Sequence, residues 1–363
     1  MDEQISPENH PGRLISQWDR QVPVDLGLAV DDMLALSVAE TNSPPILHLY
    51  TFEPAAIVGR YQDIESALKL DRCRARGVAY SRRSTGGGTV IMGPTVLALG
   101  FGASLNHPKF AGGIKTIFHT LSRVIIRALD QLGVAVTFRP KNDLEVAGKK
   151  LAGLSASMEI PSAFLFHMSL LVDFDIELML DIMNLAPVKL YDKGYSCFSQ
   201  RVTTINRETG HQAPISLVAH EVRTAFEQEL GFPFEDSAMT AWEESTVDKL
   251  RVSRYHQHDW IFSKKSMRSR MGHAYLKTPG GLLEIFLSLA GKSIESVIIT
   301  GDFFSTTADI NRIETALKWT AADKQSIIKN LEPVWQDDII HQVSADMLAE
   351  AIGQARDSIL TPM

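Results

Sequence analysis

Ser81-Arg82-Arg83-Ser84-Thr85-Gly86-Gly87-Gly88-Thr89-Val90-Ile91 is the stretch on which the reading of this chain turns. Consecutive glycines reach backbone conformations closed to other residues and carry no Cβ to hold a ligand away. Backbone N–H groups exposed in such a turn can converge on a phosphate or carboxylate. Arg82 and Arg83 stand directly before it, and guanidinium is the side chain best shaped to grip an oxyanion through two parallel bonds. Val96 to Phe101, Val-Leu-Ala-Leu-Gly-Phe, follows as a buried strand. An arginine-flanked glycine turn leading into a strand predicts an anion site on a rigid platform. A tight hairpin turn with merely solvated arginines is the alternative that this segment alone leaves open.

Residues 141–157, Lys-Asn-Asp-Leu-Glu-Val-Ala-Gly-Lys-Lys-Leu-Ala-Gly-Leu-Ser-Ala-Ser, carry the signature of a short hairpin. Leu144 to Val146 is one strand, Ala147-Gly148-Lys149 the turn, and Lys150 to Ser157 the return. The two-residue period puts Lys150, Ala152, Leu154 and Ala156 on one face and Leu151, Gly153, Ser155 and Ser157 on the other. A lysine entering a strand of small residues faces open space, and Gly153 permits the close approach of a flat ligand. Lys149 reads as solvated.

Together these motifs resemble the lipoate–protein ligase family, within the wider biotin/lipoate ligase superfamily. The resemblance rests on Gly-Arg-Tyr-Gln (59–62), Arg-Arg-Ser-Thr-Gly-Gly-Gly (82–88), Asn-Asp-Leu (142–144) and Gly-Lys-Lys-Leu-Ala-Gly (148–153). It continues through Phe-His-Met-Ser-Leu-Leu-Val-Asp-Phe-Asp (166–175) and Ser-Gln-Arg-Val-Thr-Thr-Ile-Asn (199–206). Each motif is weak alone, but their order and spacing together are not a chance match. The resemblance implies an α+β fold: a class II synthetase-like biotin/lipoyl ligase catalytic domain, with helices on a mixed, mainly antiparallel sheet, then a small α+β accessory domain.

It also implies a reaction. Lipoate is joined to ATP with release of pyrophosphate, and the lipoyl group passes from lipoyl-AMP to a lysine of a lipoyl-domain acceptor. Acceptors of this kind are a 2-oxoacid dehydrogenase acyltransferase subunit, a glycine cleavage H protein or a specialised lipoate-binding protein. ATP with magnesium and lipoate are the small molecules implied, without a tightly bound metal or prosthetic group. By resemblance, Arg83 and the backbone of Gly86, Gly87, Gly88, Thr89, Val90 and Ile91 hold ATP and the adenylate phosphate. Asn142 and Asp143 sit beside the nucleotide, with Asp143 the candidate for magnesium. Lys150 aligns with the family's active-site lysine; as a point cation it bridges the lipoate carboxyl and the α-phosphate. Arg83, Lys150, Gly153, Ser155 and His167 fall to lipoate, and His167 begins a strand lining the acyl tunnel. A satisfied core histidine is the equal alternative for that position.

Composition agrees with a cytoplasmic enzyme. The chain has 363 residues, enough for two domains, with 45% hydrophobic and 22% charged residues. A net charge of −7 lacks the basic footprint of a general nucleic-acid binder. Cys73 and Cys197 give no disulfide framework and no zinc-ligand spacing. The acidic, polar start of the chain does not read as a signal peptide, and no apolar run approaches a membrane span.

Apolar spacing predicts helices at Leu26–Ala39, with Asp25 as N-cap, and at Ile114–Leu132, closed by Gly133. Further helices are expected over 176–185 and 215–230, and a buried strand over 165–174. Residues 1–12 read as a loose tail and 13–240 as the catalytic domain. The polar stretch 241–259, with His256-Gln257-His258, reads as a linker rather than a metal site. Residues 260–363 form the accessory domain, with a hairpin over 282–299 and then Gly301-Asp302-Phe303-Phe304, where Asp302 is expected to cap a turn.

Two departures bear on the acyl chain. Met168 stands where a small residue is usual, and Ile91-Met92-Gly93-Pro94 replaces an aromatic–histidine pair. The rival readings are an ATP-independent octanoyl- or lipoyl-transferase on the same fold and a non-catalytic relative that binds lipoyl domains. A transferase of the cysteine type needs an activated thiol; Cys73 looks helical and Cys197 lies in a loop. The accessory domain favours the ligase. The glycine-arginine loop of biotin ligases is not found.

Overall fold

A computed structural model describes residues 11–139, 142–184, 201–262 and 271–360. Most of the expected tail, Lys141, Cys197, Ser199 and Gln200 lie outside the described residues. In chain order the elements are β1 (Gly12–Val22), α1 (Val24–Thr41), β2 (Ile46–Phe52), β3 (Ala55–Val58), α2 (Ile64–Ala67), α3 (Leu70–Ala75), β4 (Ala79–Arg82), β5 (Val90–Met92) and β6 (Val96–Ser104). Then come α4 (Gly113–Gln131), β7 (Thr137–Arg139), β8 (Asp143–Val146), β9 (Lys149–Ser157), β10 (Ala163–Leu171), α5 (Ile176–Ile182), α6 (Ile205–Thr209), α7 (Ile215–Leu230), β11 (Phe234–Asp236) and α8 (Ala241–Leu250). The last are α9 (His258–Ile261), β12 (Gly272–Thr278), β13 (Gly281–Ala290), β14 (Ser293–Gly301), α10 (Thr307–Leu317), α11 (Lys324–Leu331) and α12 (Ala345–Leu360).

Two compact units result. The first comprises Met1–Ile57, Leu68–Ser81 and Val90–Gln257; the second comprises Val58–Ala67, Arg82–Thr89 and His258–Met363. Two short segments of the expected catalytic domain, one of them the glycine turn, therefore belong with the C-terminal residues.

The first unit is built on an eight-stranded sheet of order β11-β1-β2-β6-β10-β9-β8-β7. Its pairs are antiparallel except those of β1, which runs parallel to β2 and β11. One face carries Phe101, Phe164 and Phe166. Phe110 packs on Phe164 with ring centroids 4.9 Å apart, and Phe226 of α7 on Phe101 at 5.2 Å. α4 buries Ile117, Leu121, Val124, Ile125 and Ala128, the stripe its spacing predicts, and ends before Gly133 at φ 75°. Met168 pairs with Leu99 and Leu154 and shares the parity of Phe166. The two-residue period therefore sets it on this apolar face, opposite His167, so its bulk does not narrow the side that carries His167.

α1 lies on the other face, and glycines let it come close. A Cβ on Gly102 would fall 2.7 Å from the backbone of Leu34, and one on Gly100 2.1 Å from the Asp31 carboxylate. α1 starts after Pro23 without a side-chain cap. Asp25, expected to cap it, instead accepts from Arg251 Nε at 2.9 Å and lies 2.7 Å from His256 Nε2. Residues 241–257, expected as a linker, are ordered into this unit. Thr240 and Glu243 form a capping box on α8, and buried Glu243 binds Arg13 and Ser37. One π-turn later, Arg254 and Tyr255 each donate to Asp32 at 2.6 Å. The strand of His167 also begins earlier than expected, which places that residue in its middle.

In the second unit, β12, β13 and β14 form an antiparallel sheet backed by α10, α11 and α12 around Leu283, Ile285, Leu287, Ile299 and Phe303. The expected hairpin is β13–β14.

Candidate functional site

The paired strands place chemistry-bearing side chains in two rows on the α1 face of the first unit. One row runs His48–Gly100–His167–Ser155 across β2, β6, β10 and β9. The next runs Tyr50–Ala98–Ser169–Gly153–Asp143, reaching β8. Small residues dominate the middle of both rows, so the face is shallow there.

Lys150 joins this face by an irregularity. Leu144 pairs with Ala152 while Glu145 pairs with Lys150, leaving Leu151 as an extra residue in β9. Such a bulge shifts the alternation by one. Lys150 therefore shares the face of Gly153, contrary to the strict period, and a Cβ on Gly153 would lie 2.7 Å from its Nζ. The same point would be 3.4 Å from Ser169 Oγ. Lys150 Nζ sits 2.8 Å from Asp143 Oδ1, the side chains being 34% and 22% exposed. The hairpin turn is tighter than expected: Ala147 and Gly148 have φ 47° and 79°, and Lys149 is already in the strand. Asn142 ties β8 to β9 by donating from Nδ2 to the Leu154 carbonyl at 2.8 Å. Thr203 N–H bonds the Lys150 carbonyl at 2.9 Å, fixing the backbone beneath the lysine.

At the covered end of the rows lies a cluster that spacing did not reveal. Asp31, 1% exposed, accepts from Tyr50 Oη at 2.6 Å and pairs with His48 Nδ1 at 2.8 Å. His167 Nε2 stands 2.9 Å from its other oxygen. Burial alone would raise the Asp31 carboxyl, but the charge and hydrogen bonds of His167 and His48 outweigh it and hold the pKa lowered to about 2. Burial and the Asp31 carboxylate push the Tyr50 hydroxyl well above its ordinary value, so it stays a donor. The signal in the sequence was Asp31-Asp32 inside an apolar helix.

The glycine turn, with Arg83, Gly86, Gly87, Gly88 and Thr89, belongs to the second unit, while Val90 and Ile91 pair in β5 with Ile57 and Ala56 of the first. Arg83 is buried and donates from Nη2 to the carbonyls of Gly86 at 2.7 Å and Gly88 at 2.9 Å. Its guanidinium shapes the turn here, where oxyanion binding was expected; burial lowers it to about 10 even beside Asp302. Arg82 does similar work, donating to the carbonyls of Gly59, Arg60, Gln62 and Ile261. Gly87, at φ 93°, donates its N–H to the Phe303 carbonyl at 3.2 Å. A Cβ on Gly86 would come within 2.4 Å of that same oxygen. The amide expected to lie bare is thus covered by the Gly-Asp-Phe-Phe segment. Asp302 accepts the Leu282 N–H at 2.5 Å, joining β13 to that segment rather than capping a turn of its own.

Among the described residues no cluster of His, Cys, Asp or Glu could hold a metal ion by itself. Asp143 suits magnesium only as one carboxylate supplementing phosphate oxygens and water, the usual habit of that ion. Cys73 is buried in α3, and burial pushes its thiol up, away from nucleophilic use. No helix among the described residues is long and apolar enough to cross a membrane.

Residues 24–227 match the lipoyl protein ligase A/B catalytic domain family, and residues 273–352 match the bacterial lipoate protein ligase C-terminus family. The octanoyltransferase LipM of Geobacillus kaustophilus is 24% identical over 266 residues, covering 67% of this chain and 95% of its own. The lipoate-protein ligase LplJ of Bacillus subtilis is 24% identical over 289 residues, covering 79% and 85%. Among solved structures, the bipartite lipoate protein ligase of Thermoplasma acidophilum, described with its E2 lipoyl domain, covers 71% of this chain and 100% of its own at TM-score 0.61 and 24% identity. Lipoate-protein ligase A bound with ATP covers 69% and 98% at TM-score 0.60 and 23% identity. LipL1 of P. falciparum, in complex with lipoate, covers 94% and 99% at TM-score 0.72 and 16% identity. With more than half its length in the catalytic-domain match and an α+β fold shared with these structures, the chain belongs to the lipoyl protein ligase A/B family of the biotin/lipoate ligase superfamily.

Proposed function

We propose that this protein is an ATP-dependent lipoate–protein ligase, which forms lipoyl-AMP and passes the lipoyl group to a lysine of a lipoyl-domain acceptor. The observation that carries the reading is Lys150, brought by a bulge over the bare backbone of Gly153 and paired with Asp143. A fixed cation above an open floor is suited to the negative charge that builds as a carboxylate attacks an α-phosphate. In this reading Lys150 bridges the lipoate carboxyl and the phosphate. Asn142 and Asp143 border the nucleotide, with Asp143 assisting magnesium, and Gly153, Ser155 and His167 border the acyl chain. Arg83 orders the Gly86–Gly88 backbone, which with Thr89, Val90 and Ile91 serves the phosphates. A cytoplasmic location belongs to the same reading.

The match of residues 273–352 to a domain named for lipoate ligases favours ligase over transferase, as does the buried thiol of Cys73. The second reading, an ATP-independent octanoyltransferase, draws support from LipM among the relatives. Incubation with lipoate, ATP and a lipoyl domain separates them by intact mass. The ligase reading expects lipoylation that stops when ATP is omitted. Octanoyl transfer from a carrier without ATP, and no lipoylation with it, contradicts the reading.

A further inference from the structure

We propose that His167, oriented by Asp31, is the base that takes the proton from the acceptor lysine in the transfer half-reaction. This rests on the ligase reading above and goes beyond it, since adenylate formation needs no such base.

The argument starts with the cost of Asp31. A carboxylate inside an apolar helix is expensive unless it is paired, and an apolar core would serve packing as well or better. Here it is held by three partners: Tyr50 Oη, His48 Nδ1 and His167 Nε2. The two histidines differ in access. His48 is fully buried and stacked on Tyr50 at 3.9 Å, out of reach of any acceptor. His167 is 8% exposed and stands where the α1-covered half of the face gives way to the half carrying Gly153, Ser169 and Lys150. It is two residues along β10 from Ser169, so about 7 Å of strand separates it from the lysine's neighbourhood. A donor bond from Nε2 to Asp31 leaves the imidazole lone pair on Nδ1 and stabilises the cation formed when that nitrogen gains a proton. Carboxylate-held imidazole is a recurrent base of this sort.

An incoming lysine arrives as an ammonium ion, with a reference pKa of about 10.4, and cannot attack until it loses a proton. His167 takes that proton. The neutral amine then attacks the acyl carbon of lipoyl-AMP, forming the C–N bond; the C–O bond to phosphate breaks and AMP leaves with its electron pair. The second nitrogen proton departs with the phosphate, and His167 returns its own to water. The groups that face His167 and its partner are Asp31 and Asp32 from α1, and His48 and Tyr50 from β2. Arg254 and Tyr255 hold Asp32, and Ser155, Lys150 and Asp143 come from β8 and β9.

The test uses the full-length protein and its His167→Asn and Asp31→Asn variants, each checked by circular dichroism. Two rates are read: lipoate-dependent ATP–pyrophosphate exchange, and transfer from supplied lipoyl-AMP to a lipoyl domain between pH 6 and 9. His167→Asn is expected to leave exchange within about twofold while lowering transfer at pH 7 by roughly 10²-fold, with recovery toward pH 9 as the acceptor amine deprotonates by itself. Asp31→Asn is expected to shift the midpoint of the transfer pH profile. Equal losses in both half-reactions, or transfer unchanged in His167→Asn, overturn the proposal. If Asp31→Asn does not fold, the His167→Asn split decides alone. A wild type that makes no exchange but transfers from lipoyl-AMP with a His167-dependent profile refutes the ligase reading and leaves the base intact.

Discussion

Lys150 and Lys149 are adjacent and chemically identical, yet the bulge at Leu151 directs one over Gly153 and leaves the other exposed. We predict that Lys150→Ala slows lipoate-dependent adenylate formation by roughly 10²–10³-fold, the scale of losing one preorganised charge. Lys149→Ala should change it by less than about twofold by the same reasoning; equal effects of the two refute the assignment. Asp31 makes a second prediction. Its folded carboxyl lies near 2, below the unfolded 3.8, so the native state keeps a charge that the unfolded chain starts to lose. The stabilisation is whole above about pH 4 and disappears as pH falls through about 2, amounting to about 2 kcal/mol. Urea unfolding between pH 6 and 3 should show a steeper loss for wild type than for Asp31→Asn, and parallel curves contradict it. The lysine and its neighbours were legible because they are contiguous in Gly-Lys-Lys-Leu-Ala-Gly. The Asp31 cluster was not, since its members come from three elements that only the sheet register aligns.

Elements follow the sequence where a single physical pattern governs them. α4 and α7 have stripes at helical spacing, and both end at glycines of positive φ. The 241–257 segment failed as a linker because its polar residues are partners rather than solvated surface: Glu243 for Arg13, and Arg254 and Tyr255 for Asp32. A bulge cannot be read from a period of two, so the expected face of Lys150 was inverted. Two glycines test the geometry that results. Gly102→Ala meets the Leu34 backbone, which cannot swing aside; we expect a loss of about 1–3 kcal/mol in chemical denaturation. Gly153→Ala meets the flexible end of Lys150 instead, so stability should move by less than about 1 kcal/mol while adenylate formation falls at least roughly tenfold. A Gly153→Ala protein with full activity places the lysine's work elsewhere.

At the scale of the whole chain, the glycine turn that governs the sequence reading belongs to the compact unit of the C-terminal residues. Its Gly87 amide and Gly86 surface meet Phe303, and Arg83 and Arg82 bind backbone carbonyls of that unit. The sequence placed the turn correctly as a special backbone, but not its partner, because the Gly-Asp-Phe-Phe segment lies more than two hundred residues away. A phosphate-binding turn built into the unit matched by the lipoate ligase C-terminus is what an enzyme of the ATP-using kind would need. The measurement that bears most directly on this is ATP–pyrophosphate exchange with lipoate, octanoate or biotin in the absence of any acceptor protein. Exchange that requires lipoate or octanoate and collapses in Lys150→Ala is the predicted result; no exchange with any of the three acids contradicts ATP-dependent ligation.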